Sequence, residues 1–469
     1  MSCGDICTDS RAAREGSLFF CLRGANADGH DHAREAYDAG CRDFCAEREV
    51  TLPADARVTI CGDTKAALAE KAAEFFGYPA RSLVMIGVTG TKGKTGTLCC
   101  AREMLEESGM KCGTIGTLGI EYDGVHADLP NTTPDAVTIH KTLAEMVKRN
   151  VKAVITEVSS QALKERRVHG IEFDIGVFTN FSPDHISEIE HATVEEYKEC
   201  KAKLFSACRN AFLNGDDAEY GYFLKSCKKN AFAYGTSEKC AYRAANARFF
   251  KKGGLLFSEF DLYAPGIEGA HLISPVPGMP GVYNTLCAAS FCSFLGADVS
   301  SLVRGAAKAR AAGRFELYEC GNAYVMIDYA HNELAVKNLF STVSLYPFAR
   351  KIAVFGCGGE RSCLRRRAMG KIISENADIC VVTEDNPRSE DVEKINADIA
   401  EGMKGAECGI IYINDRERAI EYALNTARRN DIVLLIGKGN ENYMEKNGRK
   451  LPFCERDIIR SFKAKLRDN

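Results

Sequence analysis

The chain has 469 residues, of which 45% are hydrophobic and 27% charged, and its 61 Lys and Arg nearly balance its 64 Asp and Glu, giving a formal net charge of −3. At roughly 150 residues per domain this length predicts about three domains, and the composition excludes a largely disordered chain. The balanced charge gives no electrostatic reason to expect a nucleic-acid or membrane partner, and no apolar run approaches the roughly 20 residues that span a bilayer. Residues 1–14 are polar and do not resemble a secretory signal, so we expect a cytoplasmic protein.

The first block, residues 1 to about 82, mixes short apolar stretches with turn residues. Residues 23–31 are dense in Gly, Asn and Asp, which predicts a loop. A helical stretch must end near Gly77, because Pro79 cannot continue it. We therefore predict an N-terminal domain over residues 1–82.

From Leu83 onward, short apolar runs alternate with longer helical segments. The runs at 83–88, 151–155 and 175–178 are continuous, which is typical of parallel strands covered on both faces. We predict a central α/β domain over 83–312.

After Gly313 the alternation of strands and helices restarts. Apolar runs at 324–327, 351–355, 379–383 and 432–436 predict the strands of a second parallel sheet. We predict a C-terminal α/β domain over 313–469.

A glycine loop, residues 87–95 (GVTGTKGKT), lies between a predicted strand and a predicted helix. Glycines let backbone N–H groups approach phosphate oxygens, and the helix N-terminus adds positive charge. Lys94 would reach the phosphates and the Thr95 hydroxyl would bind Mg²⁺. Val88 replaces the first glycine of the strict phosphate-loop pattern, and an ordinary glycine-rich turn is the alternative.

Polar side chains also follow the next two predicted strands. Glu157 follows the strand at 151–155, and Asp184-His185 follow the strand at 175–178. The carboxyl ends of parallel strands are where such sheets bind ligands, although Glu157 could simply cap the next helix. A helix is predicted from Thr193 to Cys208, and its Lys201 and Lys203 are, on sequence alone, surface lysines.

The 21 cysteines are scattered, often within apolar runs, and form no paired metal-ligand clusters. We expect reduced thiols that serve as small core hydrophobes.

Taken in order, these motifs resemble the Mur ligases over nearly the whole chain, and among them the MurE branch. The resemblance rests on eleven stretches: 8–11 (TDSR), 24–30 (GANADGH), 87–95, 131–135 (NTTPD), 157–160 (EVSS), 177–180 (VFTN), 313–314 (GR), 328–331 (DYAH), 354–359 (VFGCGG), 385–388 (DNPR) and 437–439 (GKG).

The resemblance implies an α/β protein with three domains: an N-terminal domain that binds UDP-substrate, a central parallel-sheet ATP-binding domain with a phosphate loop, and a C-terminal Rossmann-like domain. It implies a cytoplasmic, monomeric ligase of peptidoglycan synthesis. ATP would phosphorylate the D-Glu carboxylate of UDP-N-acetylmuramoyl-L-alanyl-D-glutamate, and an amino acid would attack the acyl phosphate. Cationic and metal charge would stabilise the transferring phosphoryl group.

The resemblance also implies roles for residues. The catalytic residues would be Lys94, Glu157, His185 and Lys201. Mg²⁺ would be held by Thr95, Glu157, His185 and Lys201, the last carbamylated by CO₂. ATP would contact Gly90, Thr91, Lys92, Gly93, Lys94, Thr95, Gly96, Asn284, Arg314 and Asp328. The UDP-linked substrate would contact Ser10, Asn131, Thr132, Thr133, Ser159 and Arg167.

The amino-acid pocket implied by the resemblance contains Arg366, Asp385, Asn386, Pro387, Arg388, Gly437 and Glu441. An Arg at position 388 is typical of members that add meso-diaminopimelate. Its guanidinium can hold the second carboxylate of that substrate through two hydrogen bonds and would repel the side-chain ammonium of L-lysine. A solvated basic face is the alternative for Arg388 and the run 365–367.

Several positions depart from the family pattern. They are Lys92 for Asn, Gly96 for Thr, Gln161 for His, Glu165 for Gln, Gly281 for Asn, Arg367 for Pro and Asn440 for His. Two alternatives to the predicted activity are therefore kept: a folylpolyglutamate- or cyanophycin-type ligase with another acceptor, and a non-catalytic nucleotide-binding paralogue.

Overall fold

The computed structural model describes residues 4–24, 27–183 and 190–467, so Asp184 and His185 lie outside the described residues. The described chain forms two compact units. One contains the residues up to Ala245 with Leu262–Ala270 and Tyr283–Gly305, and the other contains Asn246–Asp261, His271–Val282 and the residues from Ala306 onward. In the part of the chain that is described, no helix is long and apolar enough to cross a bilayer.

The α-helices of the described residues are α1 (Ala33–Asp38), α2 (Thr64–Phe75), α3 (Lys94–Glu107), α4 (Ala136–Lys148), α5 (Ser160–Lys164), α6 (Val194–Ser206), α7 (Tyr220–Ser226), α8 (Gly278–Phe294), α9 (Val299–Lys308), α10 (Glu333–Val343), α11 (Cys363–Asn376), α12 (Val392–Gly402), α13 (Arg416–Thr426) and α14 (Glu455–Arg467).

The strands are β1 (Asp5–Cys7), β2 (Ser17–Phe20), β3 (Asp43–Ala46), β4 (Arg57–Ile60), β5 (Val84–Thr89), β6 (Cys112–Gly116), β7 (Gly119–Tyr122), β8 (Val125–Ala127), β9 (Ala153–Glu157), β10 (Phe173–Phe178), β11 (Cys208–Asn214), β12 (Asn230–Gly235), β13 (Tyr242–Lys252), β14 (Leu255–Ala264), β15 (Ile267–Ser274), β16 (Glu316–Cys320), β17 (Ala323–Asp328), β18 (Lys351–Phe355), β19 (Ile379–Val382), β20 (Gly409–Tyr412), β21 (Ile432–Ile436), β22 (Tyr443–Lys446) and β23 (Arg449–Pro452).

The N-terminal residues form a parallel sheet of the order β1-β2-β3-β4, with Phe19 and Phe44 packed edge to face in its core. Helix α2 follows this sheet. It begins after the N-cap Asp63 and ends before Gly77, which adopts a positive φ of 75°. This confirms the predicted end of a helix near Gly77.

The central sheet has eleven strands, eight of which follow the order β12-β11-β10-β5-β9-β6-β7-β8, with β5 paired in parallel with both β10 and β9. Val88 of β5 is in register with Glu157 of β9 and with Val177 of β10. These strands therefore end at the same edge of the sheet, which brings the glycine loop, Glu157 and the Thr179–Asn180 segment together.

The second unit contains a sheet of the order β16-β17-β21-β18-β19-β20, in which only β16 pairs antiparallel among the described strands. Asp328 and Phe355 are both in register with Ile436, and Phe355 is in register with Val382. The segments that follow β17, β18, β19 and β21 consequently leave the sheet at one edge, as in a Rossmann-like fold.

The strands predicted from continuous apolar runs are all present, with ends shifted by a few residues. The runs are buried because helices cover these sheets. Cysteines are used as predicted: thirteen of the twenty described cysteines are buried and only Cys363 is exposed, and none of the twenty is in a disulfide.

The interpretation of Lys201 as a surface lysine is wrong. Its side chain is 1% exposed, because it lies on the face of α6 that packs against the central sheet, whereas Lys203 is exposed.

Candidate functional site

The glycine loop connects the end of β5 to the start of α3, as the sequence predicts. Gly93 is the N-cap of α3 with a φ of 83°, and Gly90 has a φ of 146°. A side chain at Gly90 would overlap the Thr179 hydroxyl. Glycine is therefore required at position 90 both by the backbone conformation and by the close approach of Thr179, which follows β10.

The loop is fixed by two residues that follow β10. The backbone amide of Lys92 donates to Asn180 Oδ1 (2.9 Å), and the carbonyl of Lys92 accepts from Thr179 Oγ1 (2.6 Å) and Asn180 Nδ2 (3.0 Å). Such a pre-formed loop needs little ordering when a phosphate binds.

Two lysines converge on this loop from different helices. Lys94 Nζ donates to the carbonyls of Gly90 (2.9 Å) and Thr91 (3.2 Å). Lys201 Nζ donates to the same Gly90 carbonyl (2.9 Å) and lies 4.4 Å from the centre of the Tyr197 ring. The loop therefore carries two ammonium groups beside its backbone.

Glu157 is 1% exposed, and its carboxylate is hydrogen-bonded to two threonines. Thr95 Oγ1 donates to Oε1 (2.9 Å). Thr117 donates to Oε1 through its amide (3.0 Å) and to Oε2 through its hydroxyl (3.1 Å). A hydroxyl and a carboxylate thus stand next to each other at the start of α3, and both are hard oxygen donors.

A cavity of about 200 Å³ opens beside these residues. It brings together six of the residues predicted to bind substrate or metal: Lys94, Asn131, Thr132, Ser159, Arg167 and Lys201. Its remaining lining residues are Ser160, Gln161, Glu190, His191 and Tyr197.

Thr133 is fully buried and links the substrate-side residues to Glu157. Its hydroxyl donates to the carbonyl of Glu157 (2.7 Å) and accepts from the amide of Ser159 (3.1 Å). Its own carbonyl accepts from Arg167 Nη1 (2.8 Å). The structure therefore gives Thr133 the role of orienting Ser159 and Arg167. Ser10 donates to Glu35 (2.9 Å) and does not line the cavity.

Two departures from the family pattern have local partners. A Cβ at Gly96 would overlap the side-chain amide of Asn284, so that amide fills the space that threonine would need. The Glu165 carboxylate pairs with Lys65 of α2 and accepts a long bond from Gln161 Nε2 (3.4 Å). Lys65 thus neutralises the extra negative charge near the cavity.

In the second unit, four predicted pocket residues surround one fully buried lysine. Lys438 Nζ donates to Asn386 Oδ1 (3.0 Å), Glu441 Oε2 (3.1 Å) and Asp385 Oδ1 (3.5 Å). Gly437 has a φ of 121°, and a Cβ there would lie 2.7 Å from Asp385 Oδ2. Lys438 therefore fixes the acidic and amide side chains that follow β19.

Arg388 adopts a φ of 53°, which turns the chain after Pro387. Its Nη1 donates to the carbonyl of Gly359 (2.7 Å) and its Nε lies 3.2 Å from Glu445 Oε2. The side chain is 24% exposed, so the guanidinium is reachable from solvent.

Arg366 has different surroundings and is 3% exposed. It pairs with Glu390 (2.8 Å) and Asp398 (3.0 Å), and its Nε has no partner among the described residues. The hydrogen bond from Arg366 holds the pKa of Glu390 below its ordinary value.

Asp328 and Arg314 lie at the end of β17 and in the segment before β16. Asp328 accepts from the amides of Phe315 (2.9 Å) and Ala330 (2.9 Å), and the Arg314 guanidinium lies 4.7 Å from the centre of the Tyr329 ring. Asp328 therefore orders the backbone that carries Arg314.

Comparison with known proteins covers nearly the whole chain. Family models match at 5–76 (Mur ligase family, catalytic domain), 88–292 (Mur ligase middle domain) and 313–439 (Mur ligase, glutamate ligase domain). A UDP-N-acetylmuramoyl-L-alanyl-D-glutamate--2,6-diaminopimelate ligase of Bacillus licheniformis is 37% identical over 463 residues, covering 96% of this chain and 93% of the relative. The chain belongs to the Mur ligase family.

Other relatives agree with this assignment. A Caldanaerobacter subterraneus protein of the same description is 34% identical and covers 98% of this chain and 94% of its own length. A solved structure of a UDP-N-acetylmuramoyl-L-alanyl-D-glutamate--2,6-diaminopimelate ligase is 28% identical with a TM-score of 0.72, covering 99% of this chain and 95% of that chain. The predicted family and its three-domain architecture are confirmed.

A folylpolyglutamate synthase of Mycobacterium tuberculosis has the same fold, with a TM-score of 0.65 and 17% identity, but covers only 79% of this Mur ligase. That similarity concerns the fold alone.

Sequence reasoning missed several residues of this Mur ligase. Lys438 lies in a stretch typical of the family, but the sequence predicts no role for it, because two of its hydrogen-bond partners are 53 and 52 residues away. Tyr197 and His191 line the cavity, but no local sequence pattern predicts this, because their placement depends on how α6 packs. Among the predicted residues, His185 lies outside the described part of the chain.

Proposed function

We propose that this Mur ligase joins meso-diaminopimelate to UDP-N-acetylmuramoyl-L-alanyl-D-glutamate, using ATP and an acyl-phosphate intermediate, in the cytoplasmic synthesis of peptidoglycan. The observation that carries the proposal is the cavity in which Lys94 and Lys201 face Thr132, Ser159 and Arg167. The phosphate-loop lysine and the predicted contacts of the UDP-linked substrate thus share one small space. The relatives described as UDP-N-acetylmuramoyl-L-alanyl-D-glutamate--2,6-diaminopimelate ligases align with almost the whole chain, which supports the same proposal.

The residues present fit ATP. The proposed contacts of ATP are Gly90 to Gly96 and Asn284, and the resemblance adds Arg314 and Asp328. The backbone amides at the start of α3, its N-terminal positive charge and Lys94 are complementary to phosphate. On substrate approach, Lys94 can exchange its bonds to the Gly90 and Thr91 carbonyls for phosphate oxygens.

The residues also fit Mg²⁺. Thr95 and Glu157 supply a hydroxyl and a carboxylate 2.9 Å apart, which are ligands of the type Mg²⁺ prefers. We propose that they hold Mg²⁺ together with His185 and a carbamylated Lys201. When bound, the metal neutralises charge on the phosphates.

The carbamate rests on the burial of Lys201. A buried ammonium beside a metal would repel it, whereas the same group gains CO₂ and loses two protons to become a carbamate, which is an anionic oxygen ligand. We expect Lys201→Ala to lose activity and to regain part of it with added short-chain carboxylates. Mass spectrometry of the native protein that finds only unmodified Lys201, with no rescue of the variant, would refute the carbamate.

On the acceptor side, we propose that Asn131, Thr132, Ser159, Arg167 and the buried Thr133 position the UDP-linked peptide. Arg167 brings a positive charge to the wall of the cavity, which suits a substrate that carries phosphates and a carboxylate. Ser10, in the short 3-10 helix between β1 and β2, is proposed as a uridine-side contact.

For the amino acid, we propose that Arg388 holds the second carboxylate of meso-diaminopimelate, with Arg366, Asp385, Asn386, Pro387, Gly437 and Glu441 around it. Arg388 must release Glu445 when the substrate carboxylate arrives, an exchange of one charge-assisted bond for another. The buried Lys438 keeps Asp385, Asn386 and Glu441 in place for the amino end.

We further propose a monomer with domain boundaries at 1–82, 83–312 and 313–469. The family models, which match at 5–76, 88–292 and 313–439, support these boundaries.

The proposed function is tested by incubating the protein with ATP, Mg²⁺, UDP-N-acetylmuramoyl-L-alanyl-D-glutamate and either meso-diaminopimelate or L-lysine. We expect phosphate release that requires both the nucleotide-linked peptide and the amino acid, and a product of the mass of the amide. Turnover only with a folate or cyanophycin acceptor would favour the other ligase types. No phosphate release with any acceptor would favour a non-catalytic paralogue.

A further inference from the structure

Three side chains with metal-binding donors meet at the first half of α6. Glu196 and Cys200 are four residues apart on the helix and therefore lie on one face, and His191 precedes the helix by three residues. One donor atom from each side chain lies within 4.8 Å of the other two. None of the three residues belongs to the ATP, Mg²⁺ or amino-acid sites proposed above.

His191 carries the strongest sign of a missing partner. Its side chain is 1% exposed, and its Nδ1 is buried without a hydrogen-bond partner among the described residues. Its Nε2 lies 2.9 Å from Ser160 Oγ. With Nδ1 as a metal ligand, Nε2–H donates to Ser160, which is the usual way an outer contact orients a ligating imidazole.

The other two donors, Glu196 and Cys200, keep lone pairs that their neighbours do not use. Glu196 accepts from the Ala192 amide (2.7 Å, at Oε2) and pairs with Lys164 (2.8 Å, at Oε1), which leaves lone pairs on both oxygens. Cys200 is buried, and Lys203 Nζ lies 4.0 Å from its sulfur. Burial raises the pKa of the Cys200 thiol, so its proton leaves only when a cation binds, whereas the hydrogen bond from Lys164 holds the pKa of Glu196 below its ordinary value.

We propose that His191, Glu196 and Cys200 bind one Zn²⁺ ion. Nitrogen, sulfur and carboxylate oxygen together are a zinc donor set, whereas Mg²⁺ and Ca²⁺ take oxygen ligands only. Binding displaces the thiol proton of Cys200, and the thiolate and carboxylate then balance the charge of the ion. Because His191 lines the cavity, water can supply the fourth ligand from that side.

Zinc at this position has a consequence for the cavity. Bond lengths of about 2.0–2.3 Å place the ligand atoms of a tetrahedral ion roughly 3.5 Å apart, so donors that lie up to 4.8 Å from one another move closer together when the ion binds. His191 and the start of α6 would then be fixed, and Lys201 lies one residue beyond Cys200 on the same helix. The proposal rests on these three residues and stands whether or not the protein has the proposed ligase activity.

The test uses the full-length reduced protein without ATP or substrates. Zn²⁺ affinity and stoichiometry are measured by competition with a chromophoric chelator, and Co²⁺ is used as a spectroscopic probe of sulfur ligation. The variants are Cys200→Ala, His191→Gln and Glu196→Gln, and the control is Cys363→Ala, which removes the exposed thiol. Thermal unfolding verifies that each variant is folded.

We expect one tight equivalent of Zn²⁺ in the wild type and in Cys363→Ala, and a weakening on the order of 100-fold in each cluster variant. A sulfur-to-cobalt charge-transfer band should be present in the wild type and absent in Cys200→Ala. A 100-fold excess of Mg²⁺ should not displace the zinc. The proposed site would be overturned if the wild type and the three cluster variants had equal affinity for Zn²⁺, or if Cys200→Ala alone had a weaker affinity. If Cys200→Ala does not fold, His191→Gln and Glu196→Gln decide the question by the same measure.

Discussion

Thr95 donates a 2.9 Å hydrogen bond to Glu157, which connects the helix after the glycine loop to the end of β9. Both groups are buried, and the pair lies where the proposed Mg²⁺ would bind. Glu157→Gln keeps the size of the side chain and an oxygen that can accept from Thr95, but removes the charge.

We therefore expect Glu157→Gln to raise the Mg²⁺ concentration needed for half-maximal turnover on the order of 10- to 100-fold, because a metal loses an anionic ligand. Mg²⁺ titrations of phosphate release measure this shift, with thermal unfolding as the control for folding. An unchanged Mg²⁺ requirement would place the metal elsewhere.

Lys94→Ala should reduce ATP-dependent turnover on the order of 10²–10³-fold or more, because the transferring phosphoryl group loses a cationic partner. Lys92→Asn is the matched variant in the same loop, since Asn is the family residue and the anchoring bonds of position 92 come from its backbone. We expect Lys92→Asn to reduce turnover much less than Lys94→Ala does. Near wild-type rates for Lys94→Ala would contradict the assignment of the glycine loop.

The Lys65–Glu165 pair predicts a charge-compensation effect on substrate affinity. Lys65→Ala leaves Glu165 uncompensated near a polyanionic substrate, so KM for the UDP-linked peptide should rise about two- to fivefold. Lys65→Ala combined with Glu165→Gln should restore it. Lys71→Ala on the same helix, whose partner is Glu74, is the control. An equal rise in KM in the single and double variants would refute compensation.

Arg388 predicts the choice of amino acid. The unaltered protein should use meso-diaminopimelate far better than L-lysine, and Arg388→Ala should erase most of the difference. The loss of a charge-assisted bidentate contact corresponds to about 2–5 kcal/mol in apparent affinity for the amino acid. Competition assays with both amino acids measure the ratio. Equal or better turnover with L-lysine in the unaltered protein would refute the prediction.

The Arg366–Glu390 ion pair predicts a pH-dependent contribution to stability. Arg366 lowers the pKa of Glu390 in the folded state, so the pair stabilises the protein above the ordinary pKa of about 4.5, and this contribution is lost as pH falls through the lowered folded-state value. The difference in free energy of unfolding between the wild type and Glu390→Gln should be largest near neutral pH and shrink below pH 4.5. Denaturant unfolding at several pH values measures it. A difference that grows toward acid would have the wrong sign.

The sequence by itself determined the two α/β domains and seven of their parallel strands. Continuous apolar runs predicted β5, β9, β10 and the strands of the second sheet, because buried parallel strands have no polar face. The strand, glycine loop and helix around Lys94 were also predicted. Loop conformation and helix capping depend on residues that are close in the sequence, so a local pattern is enough to predict them. The family stretches added the fold and the candidate residues, because they lie at the strand ends where such sheets bind ligands.

Only the tertiary structure decided the environment of individual side chains. Lys201 has the sequence context of an exposed helical lysine, yet it is buried against the carbonyl of Gly90, 111 residues away. The pairing of Glu165 with Lys65 and the meeting of His191 with α6 likewise depend on which helix faces pack together. Local sequence encodes backbone conformation, but burial and electrostatics are set by groups distant in the chain, so pairings of this kind follow only from the folded structure.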